Sequence, residues 1–235
     1  MNNILEICQE VADLTATQRP DDLFDKNTQH NAIFLSVMKN ELESLMRYGD
    51  WQSLIKQATF QTLENKRFYS FDEIVPDFYA LIHNTIYIKD SKEKVLGALT
   101  SEEFMKQKCV ETSSGKLQFK IENNGFRFLS KVPEGLRIVF LYRSNGVCYD
   151  AKSCEVKSAV NKNTDVPLFD KYVVKLGVTW RWLKRNGMDY SEEYNEYERE
   201  LKKKFGLEQN VKDIRLAQNC ELFNDGLVIE HKKGC

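Results

Sequence analysis

The sequence predicts an α+β protein: a helical bundle made from the N- and C-terminal helices, an inserted antiparallel β domain, and an extended C-terminal tail. Three observations carry this. The apolar period is helical over the first 50 residues, shortens to about two near Trp51, and becomes helical again after Pro167. The predicted boundaries are 1–50 with 168–205 for the bundle, 51–167 for the β-rich insert with its long polar loop 144–165, and 206–235 for the tail.

The first helix, about 3–14, places Ile4, Cys8 and Val11 at helical spacing, and Arg19-Pro20-Asp21-Asp22 breaks the pattern. The second, about 28–48, carries Leu35, Met38, Leu42 and Leu45 as one stripe, with Gly49 expected as a left-handed cap. From Trp51 to about Leu63, Ala58, Phe60 and Thr62 alternate with polar residues as in a strand. The segments 68–71 and 84–88 read the same way, with Pro76-Asp77 as a turn or helix start between them. Thr100 and Glu103 form a capping box that opens a helix through about Lys108.

Leu117, Phe119 and Ile121 alternate with polar residues, Asn124-Gly125 supplies hairpin turn residues, and Phe126 and Phe128 return the chain. Leu136 to Tyr142 is apolar on both faces and predicts a central strand covered on both sides. The stretch 144–165 is polar and longer than compact domains usually carry, so it is expected to project and contact a neighbouring subunit or the next ring.

In the helix expected over 170–186, Val173, Leu176, Trp180 and Leu183 lie on one face, and Val174, Val178 and Trp182 on another. Such a helix is either central in a bundle or packs against a second subunit; Val174, Val178 and Trp182 are the candidate subunit interface. Gly187 stops it. Tyr190, Tyr194, Tyr197, Leu201 and Phe205 form a seam on the last helix, about 190–205, which Gly206 is expected to end.

Composition excludes more than it assigns. Hydrophobic residues make up 42% of the chain, enough to offset the entropy of ordering it. The longest apolar run, 138–142, is far short of the ~20 residues a membrane helix needs, and no secretion signal is read at the N-terminus. Thirty-four basic against 35 acidic residues leave a net charge of −1, with none of the excess expected of a dedicated nucleic-acid binder. The one dense basic run, Lys202-Lys203-Lys204, follows Glu196, Glu198 and Glu200 at ion-pair spacing on a helix.

Cys8, Cys109, Cys148, Cys154, Cys220 and Cys235 include no C-x-x-C pair, and His30, His83 and His231 are scattered, so no metal site and reduced thiols are expected. There is no G-x-S-x-G elbow, phosphate-binding glycine loop or H-E-x-x-H pair. The acid pairs Asp21-Asp22, Asp72-Glu73, Glu102-Glu103 and Glu192-Glu193 fall at helix starts or turns, where negative charge is favourable without catalysis. Neither an enzyme nor a cofactor is expected.

The run 170–200, with Gly177, Trp180, Arg181, Trp182, Lys184, Gly187, Asp189, Tyr190 and Tyr197, resembles the signature of the phage head-to-tail adaptor (connector) proteins of short-tailed phages. Gly49-Asp50-Trp51, Phe60, Pro76-Asp77-Phe78, Leu99-Thr100 and the 129–136 segment fall in the family's order, so the resemblance covers roughly residues 1–205. It implies a structural virion protein at the head–tail junction, assembled in the bacterial host cytoplasm. Its partners would be the portal protein, a tail nozzle or tail-tube protein, and copies of itself in a homo-oligomeric ring, typically a dodecamer. DNA would pass through the channel during ejection without specific binding, and no membrane would be involved. The different-class alternative is a cytosolic nucleic-acid-binding regulatory protein.

The tail is rich in large apolar residues, and Leu216, Leu222, Phe223, Leu227, Val228 and Ile229 are the candidate contacts to the portal or a neighbouring subunit. Burying each is worth ~1.5–3 kcal/mol, so several together offset the cost of ordering a segment on binding.

Overall fold

A computed structural model of the chain describes residues 2–25, 28–110 and 116–216, the side chains of 110 and 208–216 excepted. It is mixed α and β with antiparallel sheets. In chain order the elements are α1 (Ile4–Leu14), α2 (Gln29–Tyr48), β1 (Ile55–Gln61), β2 (Phe68–Ser70), α3 (Phe71–Ile74), β3 (Phe78–Leu81), β4 (Tyr87–Ile88), α4 (Ser101–Val110), β5 (Phe119–Glu122), β6 (Gly125–Phe128), β7 (Arg137–Ser144), β8 (Cys148–Asp150), β9 (Val156–Lys157), β10 (Asp165–Pro167), α5 (Lys171–Arg185) and α6 (Ser191–Leu216). The chain divides into two compact units: unit 1 takes the described residues up to Ser53 and from Gly146 onward, and unit 2 is Leu54–Asn145.

In unit 1, α5 contacts α1, α2 and α6. Asp170 caps its start, accepting hydrogen bonds from the backbone N–H of Tyr172 (2.9 Å) and Val173 (3.2 Å), and Gly187, in the left-handed region at φ 71°, follows its end. The α2 stripe is built on Phe34, Met38, Leu42 and Leu45, with Leu35 only half-buried. Gly49 is not a left-handed cap: its φ of 176° is extended. What it supplies is room, since a Cβ there would lie 2.3 Å from the ring of Phe205. Gly206 does not end α6, which continues to Leu216.

The stretch expected as a projecting polar loop is a folded part of unit 1. It forms a three-stranded sheet in the order β10-β8-β9, with Cys148, Asp150, Val160, Asp165 and Val166 buried. Its polarity serves two ends: buried Asp150 and Asp165 are answered by charges within the segment, while most of 151–164 is exposed.

Unit 2 holds a four-stranded sheet and a three-stranded sheet, β2-β6-β5. In the larger sheet β7 is central, with β1 on one edge and β3 and β4 on the other. The expectation that β7 is covered on both sides is corrected: Ile138, Phe140, Tyr142 and Ser144 are buried, while Val139 and Leu141 on the opposite face are half-buried. The 124–125 turn shifts by one residue. Asn123 and Asn124 take the two left-handed positions at φ 46° and 53°, and Gly125 opens β6. The Thr100–Glu103 capping box forms in both directions, with bonds of 2.8 and 3.2 Å.

The centre of unit 2 is aromatic. Phe126, fully buried, lies with its ring edge-to-face to Phe71 (4.8 Å), Phe140 (5.1 Å) and Phe119 (5.2 Å). Such contacts add about 0.5–1.5 kcal/mol each beyond area burial.

Candidate functional site

The residues singled out on α5 converge on a charged centre inside unit 1. Gly177 faces Glu41 of α2, and a Cβ on it would lie 2.1 Å from the Glu41 carboxyl carbon. Only glycine admits this approach. One turn further on, Arg181 donates from Nε to Glu41 Oε2 at 2.7 Å and from its terminal nitrogen to the Ser44 hydroxyl at 3.0 Å. The Glu41 side chain is wholly buried, and its Oε1 lacks a hydrogen-bond partner among the described residues. Burial raises the Glu41 pKa, and the Arg181 guanidinium offsets this only in part. Burial, with the Glu41 charge nearby, also pushes the Tyr197 phenol up.

Trp180 lies under Arg181, 4.4 Å from ring centroid to guanidinium carbon, and its ring meets Tyr194 edge-on at 5.1 Å. Trp182 stacks on Phe34 at 3.8 Å and meets His30 at 5.0 Å. Gly177, Trp180, Arg181, Trp182 and Tyr197 therefore act as one interlocking set. The Arg181 charge is spent on Glu41, and the arrangement ties α5 to α2 and α6.

The candidate interface residues Val174, Val178 and Trp182 are buried within the single chain, because α1 and α2 cover the face that sequence reasoning left open to a second subunit. They are not a free surface. Leu216 is the last residue of α6, and its side chain, like Leu222, Phe223, Leu227, Val228 and Ile229, lies outside the described residues.

A second charged cluster was not legible as such. In the β8–β10 sheet Lys157 Nζ bonds Asp165 (2.7 Å) and Asp150 (3.1 Å), and Lys162 Nζ bonds Asp150 (2.6 Å). Backbone N–H groups of Lys152 and Ser153 donate to Asp150, and those of Asn161 and Lys162 donate to Asp165. Lys162, the Lys152 N–H and Lys157 together hold the Asp150 carboxyl well below the usual carboxylate range. The signal in the sequence was the interleaving of Asp150, Lys157, Lys162 and Asp165, which permits local pairing once short strands bring them together.

The acid pairs at 72–73, 102–103 and 192–193 occupy first turns of helices. Lys202, Lys203 and Lys204 pair with Glu198, Glu200 and Asp170. Among the described residues no group of three His, Cys, Asp or Glu is placed to hold a metal ion, and no helix is long and apolar enough to cross a membrane. Cys8, Cys109 and Cys148 are free, and burial pushes the Cys148 thiol up to about 12. Contrary to the expectation of reduced thiols throughout, Cys154 is disulfide-bonded. No protein-family model matches the chain, and no curated protein matches it.

Proposed function

We propose that the chain is the subunit of a head-to-tail adaptor ring, a structural virion protein that joins portal to tail and leaves a channel for DNA. The observation that carries this reading is the 177–197 block. The residues that resemble the adaptor signature are the ones that lock α2 and α6 onto α5 through Gly177, Arg181 and the Trp180–tyrosine cluster. In this reading α1, α2, α5 and α6 form the bundle of the ring body, and the apolar tail residues from Leu216 onward reach the portal or the next copy. A near-neutral chain suits a part that DNA must pass without being retained.

The deciding measurement is mass in solution, by light scattering and native mass spectrometry, for the purified chain alone and mixed with a candidate portal. An adaptor co-assembles with the portal into a ring-sized complex. A chain that stays small and indifferent to every portal offered defeats the reading, and is what a cytosolic regulator would do.

A further inference from the structure

Unit 2 carries a cleft of about 340 Å³ between α4, the β5–β6 hairpin and the residue preceding β2. Arg67, Lys108, Lys120 and Arg127 line it, against a single carboxylate, Glu122. In a chain whose net charge is −1, this is a local excess of three cations. Two of the four are engaged: Arg127 bonds Glu122 at 3.0 Å, and Lys120 lies 3.4 Å from the same carboxylate and 4.7 Å from the Phe104 ring centroid. Arg67 and Lys108 are exposed and make no ion pair among the described residues. The cleft thus has two cations braced on Glu122 and two exposed ones with charge to spare.

The lining narrows the ligand. The volume lies in the range of sites that hold a sizeable ligand, and four cations face one carboxylate. The rings that line it, Phe104 and Phe128, are buried, so no aromatic face is offered for stacking a base. No Asn or Gln lines it to read base edges. What remains is recognition of negative charge beside an apolar wall of Phe104, Met105, Phe128 and Leu129. We infer that this cleft binds the phosphodiester backbone of a nucleic-acid strand without sequence preference. The inference does not rest on the adaptor reading and runs against its expectation that DNA passes unretained, so binding that falls steeply with salt would count for the nucleic-acid-binding alternative.

The test uses the full chain and a fluorescein-labelled oligothymidylate about 20 nucleotides long, with anisotropy followed from about 50 to 200 mM salt. The unmodified chain should bind with an affinity that falls steeply as salt rises. Arg67→Glu with Lys108→Glu touches only the exposed, unpaired cations. It should weaken binding at least tenfold at low salt and make the log–log salt slope shallower by roughly one to two. A control, Lys152→Glu with Arg185→Glu, makes the same change in net charge on exposed residues of unit 1 and should keep the affinity within about twofold of the unmodified chain. No binding at low salt, an unaffected cleft variant, or equal loss in the control each overturns the proposal. Circular dichroism of both variants establishes that the fold is intact.

Discussion

At Glu41 one arginine, with the Tyr197 hydroxyl beside it, answers one buried carboxylate, and Oε1 has no donor in good hydrogen-bond geometry. At Asp150 and Asp165 two lysines and four backbone N–H groups are shared between two carboxylates. The two sites are similarly sequestered: Glu41 and Asp165 side chains are both 0% exposed. They differ in redundancy. The small sheet has spare donors because its carboxylates sit beside turns whose backbone is free to donate. Glu41 sits mid-helix, where the N–H groups around it are already used within α2 and only a side chain from another helix can reach it. The pKa directions follow: Asp150 is held down and Glu41 pushed up.

The comparison breaks most directly at Arg181. Arg181→Met leaves Glu41 buried without its cation and should cost about 3–5 kcal/mol in urea unfolding. Adding Glu41→Leu to it should restore most of that loss, since a buried pair replaced by apolar residues is often neutral. A cost below about 1 kcal/mol for the single variant would mean that Glu41 finds other partners or takes up a proton freely.

Lys157→Met is the matching test of the other site. Asp150 keeps Lys162 and Asp165 keeps its two backbone donors, so the fall in unfolding midpoint should be clearly smaller than for Arg181→Met. Equal losses would show that the backbone donors contribute little.

The smallest expected effect is in the pH dependence. Glu41 has a folded-state pKa above its ordinary 4.5, so it favours the folded state most when protonated, and this contribution is lost as pH rises from 4.5 through the folded value. Asp150 runs the other way: its contribution is present above 3.8 and lost as pH falls toward its depressed folded value. Stability of Glu41→Gln relative to the unmodified chain should therefore rise as pH climbs above 4.5 and level off once pH passes the folded value. A flat difference between pH 4 and pH 8 would show that Glu41 has an ordinary pKa.

The contrast also explains what could be read from the sequence. The four long helices and the aromatic hairpin were legible because their stabilisation comes from periodic apolar burial, and Val173, Val178 and Phe126 lie where their spacing places them. The Asp150–Asp165 sheet was not, because its strands are too short for a period and its charges resemble a solvated loop. Glu41 was missed for a related reason. A single acid on an amphipathic helix reads as surface until a glycine and an arginine elsewhere in the chain are seen opposite it. Gly49 misled because glycine marks close approach as well as helix ends, whereas Gly206 has open space around it and simply lies within α6.

The pairing of β1 with β7 has a further consequence. Ile55, the second residue of unit 2, lies opposite Arg143, two residues before the unit ends at Asn145. The chain leaves the helical frame and comes back to it on adjacent, hydrogen-bonded strands. Unit 2 is thus a cassette with its two ends already clasped. Recombination that exchanges, enlarges or removes it leaves the frame with the same short gap to bridge, so the helices and their Glu41–Arg181 lock can be inherited unchanged while the cassette, with its cationic cleft, diversifies.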